Sequence, residues 1–192
     1  MKIGLITTIN TNIGDDFIRT GIRRLLNEIY KNKQLEFICI NKHRPYSVYP
    51  AWHPAGVLGR VSEQLPVGQN LLKTTASALF APMGLSFFDE CDLIVQCGAP
   101  VFWPGCSRSE WAKPLWHDIV GRLYEKIPVL NLAAGSCYPW EQRQAAPERA
   151  AEDGDYIKSI LSYCRLTTAR DQLAREHYPF LTASGQQIST GA

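Results

Sequence analysis

The sequence predicts an α/β protein, a Rossmann-like parallel sheet with helices on both faces. Three observations carry this. The runs Asp92 to Cys97 and Pro128 to Ala133 are apolar without alternation, as strands buried on both faces are. Stretches with helical spacing separate the strand-like runs. Both apolar runs give way to small residues, Gly98 and Gly135, where a strand would leave the sheet.

Lys2 to Ile9, short and rich in Ile, Leu and Thr, is the first expected strand. A helix is expected from about Asp15, with Phe17, Ile18, Ile22, Leu25, Leu26 and Ile29 on its core face and Arg19, Arg23, Arg24 and Glu28 on the other. Leu35 to Ile40 is the second strand, and Asp92 to Cys97, Pro128 to Ala133 and Arg165 to Ala169 the next three. Helices are expected near Ser109 to Lys126 and Asp155 to Tyr163, with Pro114 in an early turn of the first or kinking it. Between them, about 42–88 holds five prolines (45, 50, 54, 66, 82) and reads as an extended loop with one helix near Gln69 to Leu79. An insertion of that length is more often functional than not. Residues 1–180 make one domain on this reading. The Ser, Thr, Gln and Gly-rich end, 181–192, is either a flexible tail or a frame change that cuts off a C-terminal domain, and the second is preferred.

At 192 residues, with 45% hydrophobic and 20% charged residues, the composition is that of a globular domain. Net charge is +2 and the Lys and Arg residues are scattered, which argues against a dedicated binder of nucleic acid or anionic membrane. No run approaches the roughly 20 apolar residues that span a bilayer. The apolar start stops at Thr7, and Asn10, Asn12, Asp15 and Asp16 follow, so a signal peptide is not expected and the location read is cytoplasmic. Six cysteines (39, 91, 97, 106, 137, 164) include no CxxC pair; buried thiols fit them better than disulfides or zinc.

Ligands of open parallel sheets bind beyond the carboxyl ends of the strands. After the first strand come Asn12, Gly14 and Asp15. One reading is a tight turn with Asp15 capping the helix; the other has Asn12 and free backbone N–H groups meeting a ligand hydroxyl or anion. No G-x-G-x-x-G is present here. After the third strand, Gly98 permits close approach, and Phe102 and Trp103 offer faces for a sugar to stack on or simply cover the sheet end. Gly135 and Ser136 follow the fourth strand, with Tyr138 and Trp140 beyond. Cys137 lacks the second glycine of a nucleophile elbow, since Pro139 stands there, and reads as a buried thiol. Arg170 could grip a carboxylate or phosphate, or pair with Asp171. His43, His53 and His117 are isolated, and no metal site is expected.

Four motifs stand in order: Asn12-x-Gly14-Asp15; Asp92 to Ala99; Pro128 to Ser136; and Thr168-Ala169-Arg170-Asp171. Together they resemble the N-terminal half of polysaccharide pyruvyl transferases, over about residues 1–178. The resemblance implies two Rossmann-like domains facing across a cleft, as in the GT-B fold. It implies transfer of pyruvate from phosphoenolpyruvate to two hydroxyls of a glycan or lipid-linked sugar, as a ketal, with no metal or organic cofactor. The N-terminal domain would supply the acceptor side and the absent C-terminal domain most of the donor grip, leaving this chain inactive alone. Asp15 would orient or deprotonate the sugar hydroxyl, with Asn12, Gly14, Gly98, Phe102, Trp103, Gly135, Ser136 and Arg170 around the substrates. Apolar surface near Phe102, Trp103 and Trp140 would favour self-association. Cys97 and Ala99 depart from the family, which tends to glycine there. The competing readings are a non-catalytic α/β domain that binds a glycan or another chain, and a GT-B half using a nucleotide sugar.

Overall fold

The computed structural model describes residues 1–9, 12–62, 64, 75, 79–98, 100–102, 105–109, 112, 114–136 and 151–170. Ala99, Trp103, Cys137, Trp140, Asp171 and the end from Leu181 lie outside them.

Six strands form one sheet in which every pairing is parallel: β1 (Lys2–Thr7), β2 (Glu36–Asn41), β3 (Leu93–Cys97), β4 (Pro100–Phe102), β5 (Val129–Ser136) and β6 (Leu166–Ala169). The order is β2-β1-β3-β5, with β4 and β6 both paired to β5. β3 runs beside β5 as far as Leu132, and β4 pairs with Gly135 and Ser136. β4 therefore resumes the β3 edge of β5 after the break at Gly98, while β6 takes the opposite edge. The short β4 was not expected from the sequence; the other five strands were, each with ends shifted by up to three residues.

The chain moves outward from β1 to β2, then back across β1 to β3 and on to β5 and β6. Right-handed crossovers then require helices on opposite faces, and that is where they lie. α1 (Ile13–Ile29) packs Ile22 and Leu26 on Ile3, Leu5, Leu93, Val95 and Cys97. The opposite face carries Ile6, Ile40, Ile94, Val129, Ala134 and Ala169. Over it lie α3, π-helical over Pro114–Val120 and α-helical over Gly121–Leu123, and α4 (Ala151–Tyr163). Trp116, Ile119, Ile157 and Ile160 come from these helices and are fully buried. Each such side chain contributes about 1.5–3 kcal/mol relative to exposure.

The expected core face of α1 needs correction. Ile22 and Leu26 are buried and Ile18 partly so, but Phe17, Leu25 and Ile29 are exposed. The flank of the helix is fixed by its arginines: the Arg23 guanidinium sits 4.8 Å from the centre of the Phe37 ring, which turns that side toward β2.

The expected insertion is also more ordered than an extended loop. It contains α2 (Pro54–Ser62) and 3₁₀ turns at Pro45–Val48, Ala81–Met83 and Phe87–Glu90. Pro45, Pro54 and Pro82 open these turns rather than interrupting them, the position that tolerates a missing N–H. The helix expected near Gln69 to Leu79 falls almost wholly outside the described residues. Arg122 of α3 grips Asp89 through two bonds of 2.7 and 2.8 Å, tying the end of the insertion to the helical layer. No helix among the described residues is long and apolar enough to cross a membrane.

Candidate functional site

Because every strand is parallel, the turns after β1, β2, β3, β5 and β6 share one edge of the sheet. The turn after β1 is held by side chains from its neighbours. Lys42 N–H donates to Thr7 O at 2.8 Å, extending the ladder past β2. Arg19 donates to Thr8 O at 3.0 Å, and its second nitrogen pairs with Asp16 at 2.6 Å. Asn41 donates to Ile9 O at 3.4 Å and accepts from His43 N–H at 3.1 Å.

Asn12, not Asp15, caps α1. Its side-chain oxygen accepts from Gly14 N–H at 2.9 Å, and its carbonyl accepts from Asp15 N–H at 3.1 Å. The helix starts two residues before the expected point, so Asp15 is its third residue and points inward. It is 2% exposed, and its Oδ1 has no hydrogen-bond partner among the described residues. The positive end of the helix favours a carboxylate there, although a buried oxygen without a donor is costly.

Lys42, 5% exposed, and His43 follow β2, and His43 is within electrostatic reach of this acid. Partial burial pushes the His43 pKa below its ordinary value, Lys42 pushes it further, and Asp15 opposes both. Burial and Lys42 thus disfavour the charged imidazole, while Asp15 favours it. A carboxylate and an imidazole at one strand-end edge can orient a hydroxyl and take its proton.

At the next strand end Gly98 has φ +62, and a Cβ there would lie 2.3 Å from Ile18 of α1. Glycine is required on both counts. Further along, β5 carries a bulge: Ala133 has φ +54, and the register with β6 shifts between Asn131 and Ala134. The freed Ala133 N–H donates to Thr168 Oγ1 at 2.8 Å. Beyond the bulge, Gly135 lies under the Arg170 side chain, for a Cβ there would sit 2.4 Å from Arg170 Nε. Phe102 and Ser136 are register partners on β4 and β5, and Trp103 lies outside the described residues. Asn12, Gly14, Asp15, Gly98, Gly135, Ser136 and Arg170 thus share the carboxyl edge, with Gly98 on the strand between the others.

Sequence reasoning passed over Lys42 and His43, whose only signal was their place directly after a strand. It also passed over a polar row. Gln96, Asn131 and Thr167 are register neighbours on β3, β5 and β6, all buried beneath α3 and α4. Asn131 Oδ1 and Nδ2 have no partner among the described residues, while Thr167 meets the Cys164 thiol. Polar residues inside otherwise apolar strand runs were the available sign.

The other two described histidines serve structure. His53 is buried, stacks on Tyr49 with ring centres 4.4 Å apart, and accepts Ala55 N–H at 3.2 Å. His117 lies 3.3 Å from the Tyr163 hydroxyl. Burial pushes the thiols of Cys91, Cys97 and Cys164 up to about 12, far from reactivity. Comparison with models of known protein families, with curated proteins and with solved structures finds no match to the chain.

Proposed function

We propose that the chain forms the acceptor side of a pyruvyl transfer enzyme, holding a sugar hydroxyl at the carboxyl edge of its sheet. The observation that carries the reading is Asp15: a buried carboxylate oxygen with no donor among the described residues, at a helix N-terminus and within electrostatic reach of His43. The oxygen is closed to solvent here, and a ligand hydroxyl that uncovers it would supply the donor it lacks. The sequence resemblance supplies the donor, phosphoenolpyruvate, and a GT-B-like second domain to hold most of it.

In this reaction a proton adds to the methylene carbon of phosphoenolpyruvate, and a sugar hydroxyl oxygen bonds to the adjacent carbon. Asp15, with His43 as the neighbouring acceptor, takes that hydroxyl's proton. Phosphate then leaves with its bonding electron pair, and a second hydroxyl closes the ketal as it loses its own proton. Arg170 offers a planar fork for the donor's carboxylate or phosphate. Gly98 and Gly135 let both substrates approach the backbone.

Ligand-observed NMR on the chain, with a panel of hexose and N-acetylhexosamine glycosides and with phosphoenolpyruvate, tests this. The expected result is saccharide binding that Asp15→Asn weakens at least tenfold, with the melting temperature held or slightly raised because a buried charge is removed. Phosphoenolpyruvate binding should weaken on Arg170→Lys. No saccharide binding by the chain, or binding indifferent to Asp15→Asn, would falsify the proposal. Saccharide binding that Asp15→Asn weakens supports the acceptor role whether or not phosphoenolpyruvate binds this chain, since a second domain would hold most of the donor.

A further inference from the structure

One face of the sheet changes character toward its carboxyl end. On the α1 side, Leu5, Val95, Cys97, Leu130 and Leu132 stay apolar. On the α3 and α4 side, Ile94 and Val129 are followed two residues later by Gln96 and Asn131, with Thr167 beside Asn131 on β6. Alternation places Thr8 on the same side as Ile6, one step past the end of β1. All four polar side chains are buried, Thr8 at 2% and Asn131 at 0% exposure.

Their burial is unevenly compensated. Thr167 has the Cys164 thiol. Asn131 has neither a donor for Oδ1 nor an acceptor for Nδ2 among the described residues, and Thr8 Oγ1 has no partner among them either. An amide taken out of water with nothing to bond is costly, and a leucine at that position would avoid the cost. The place of the amide gives a reason for keeping it. β3 ends at Cys97, one residue past Gln96, and Gly98 follows with φ +62. β5 bulges two residues past Asn131, at Ala133, which holds φ +54 without being glycine. Bulges and strained backbone gather next to ligand sites, and the crevice of an open parallel sheet lies at this same end.

We propose that Asn131, with Thr8 near it on the same face, recognises an uncharged group of the acceptor saccharide that both donates and accepts hydrogen bonds: a hydroxyl or an acetamido group. The inference rests on the saccharide reading above and deepens it. α1, and Asp15 with it, lies on one side of the sheet edge and Asn131 on the other, so the acceptor is held at two points rather than one. A carboxamide offers both an acceptor and donors and carries no charge, which suits a neutral sugar group better than the anionic donor. The amide is closed to solvent in this structure, and the group enters from the carboxyl edge, where β3 leaves the sheet.

The test is ligand-observed NMR of the full chain with the same hexose and N-acetylhexosamine glycosides, together with the melting temperature of the free chain. Asn131→Leu and Thr8→Val are close in shape to the originals and apolar. Each should weaken saccharide binding roughly tenfold or more, while Asn131→Leu holds or raises the melting temperature because it removes a buried amide without partners. Loss confined to the N-acetylhexosamines supports the proposal with an acetamido group, and equal loss on both sugar types supports it with a hydroxyl. A melting temperature lowered by more than about 4 °C in Asn131→Leu shows that the amide is bonded within the fold, and overturns the proposal. Binding that Asp15→Asn weakens but Asn131→Leu and Thr8→Val leave unchanged overturns it too, with the functional reading left standing. No saccharide binding by the wild-type chain removes both.

Discussion

Asp153, near the start of α4, is 4% exposed and accepts three hydrogen bonds: Gly105 N–H at 2.7 Å, Ser107 N–H at 2.9 Å and Ser107 Oγ at 2.6 Å. These anchor the turn between β4 and α3 at the candidate edge. Replacing Asp153 by alanine removes all three. Each bond to a charged acceptor is worth about 1.5–3 kcal/mol, but the three share one carboxylate and exposed Gly105 can regain water, so they do not add. The net cost should be about 3 kcal/mol, or a melting temperature lower by roughly 6–12 °C for a chain of this size. Asparagine keeps an acceptor oxygen and loses the charge, so its cost should be about half as large.

Acidity provides a second reading of the same bond set. Burial raises the Asp153 carboxyl, but the Ser107 side chain and N–H and the Gly105 N–H outweigh it and hold its pKa below the ordinary value. A depressed folded-state pKa contributes stability in full above the unfolded value near ~3.9, and loses it as pH falls through the folded one. Urea denaturation followed by circular dichroism at pH 7, 5, 4 and 3 should show the gap between wild type and Asp153→Asn constant down to about pH 5, then shrinking. A gap that persists unchanged at pH 3, or an Asp153→Ala cost under about 1 kcal/mol, would refute the reasoning.

Three further perturbations follow from the strand ends. Gly98→Ala forces a side chain into left-handed backbone and against Ile18, and should cost about 3 kcal/mol or more; adding Ile18→Ala should recover only the steric part, as a double-mutant cycle in urea would show. Thr168→Val keeps the shape but leaves the Ala133 N–H without its acceptor, so stability should fall by about 1–2 kcal/mol and the Ala133 amide should exchange faster. Gly135→Ala collides only with the movable Arg170 side chain. It should cost under about 1 kcal/mol in stability yet weaken phosphate or phosphoenolpyruvate binding, measured by calorimetry, if Arg170 holds the anion.

The strands were legible because both their faces are buried, and a run such as Leu93 to Val95 can be nothing but apolar. The facing of α1 was not. Its apolar positions cover a wider arc than one sheet can meet, and which part is used depends on distant partners: Phe37 for Arg23, the Thr8 carbonyl for Arg19. Phe17 and Leu25 are left outside by those contacts. α2 was missed because prolines were weighed as breakers, whereas Pro54 begins a helix. The glycines at the strand ends were found from type and place alone. His43 was set aside as isolated, because its nearness to Asp15 arises from strand order rather than from sequence distance.

The shift of the helix start from Asp15 to Ile13 changes what Asp15 can do. A capping side chain is occupied by its own backbone, as the Asn12 oxygen is by Gly14 N–H. Had Asp15 been the cap, its carboxylate would have been similarly engaged. Two other acids, Asp89 and Asp153, show the usual solution. Asp89 receives Arg122 on both oxygens and Ser86 on one, and Asp153 receives Ser107 and Gly105. In each, donors reach both oxygens and outweigh the cost of burial, holding the pKa down. Asp15 Oδ1 is as sheltered as these and has no donor among the described residues. Asp118 Oδ2, in α3, is likewise short of a donor, so what sets Asp15 apart is its place at the carboxyl edge of the sheet, near His43. There a hydroxyl delivered by a ligand would supply the missing donor.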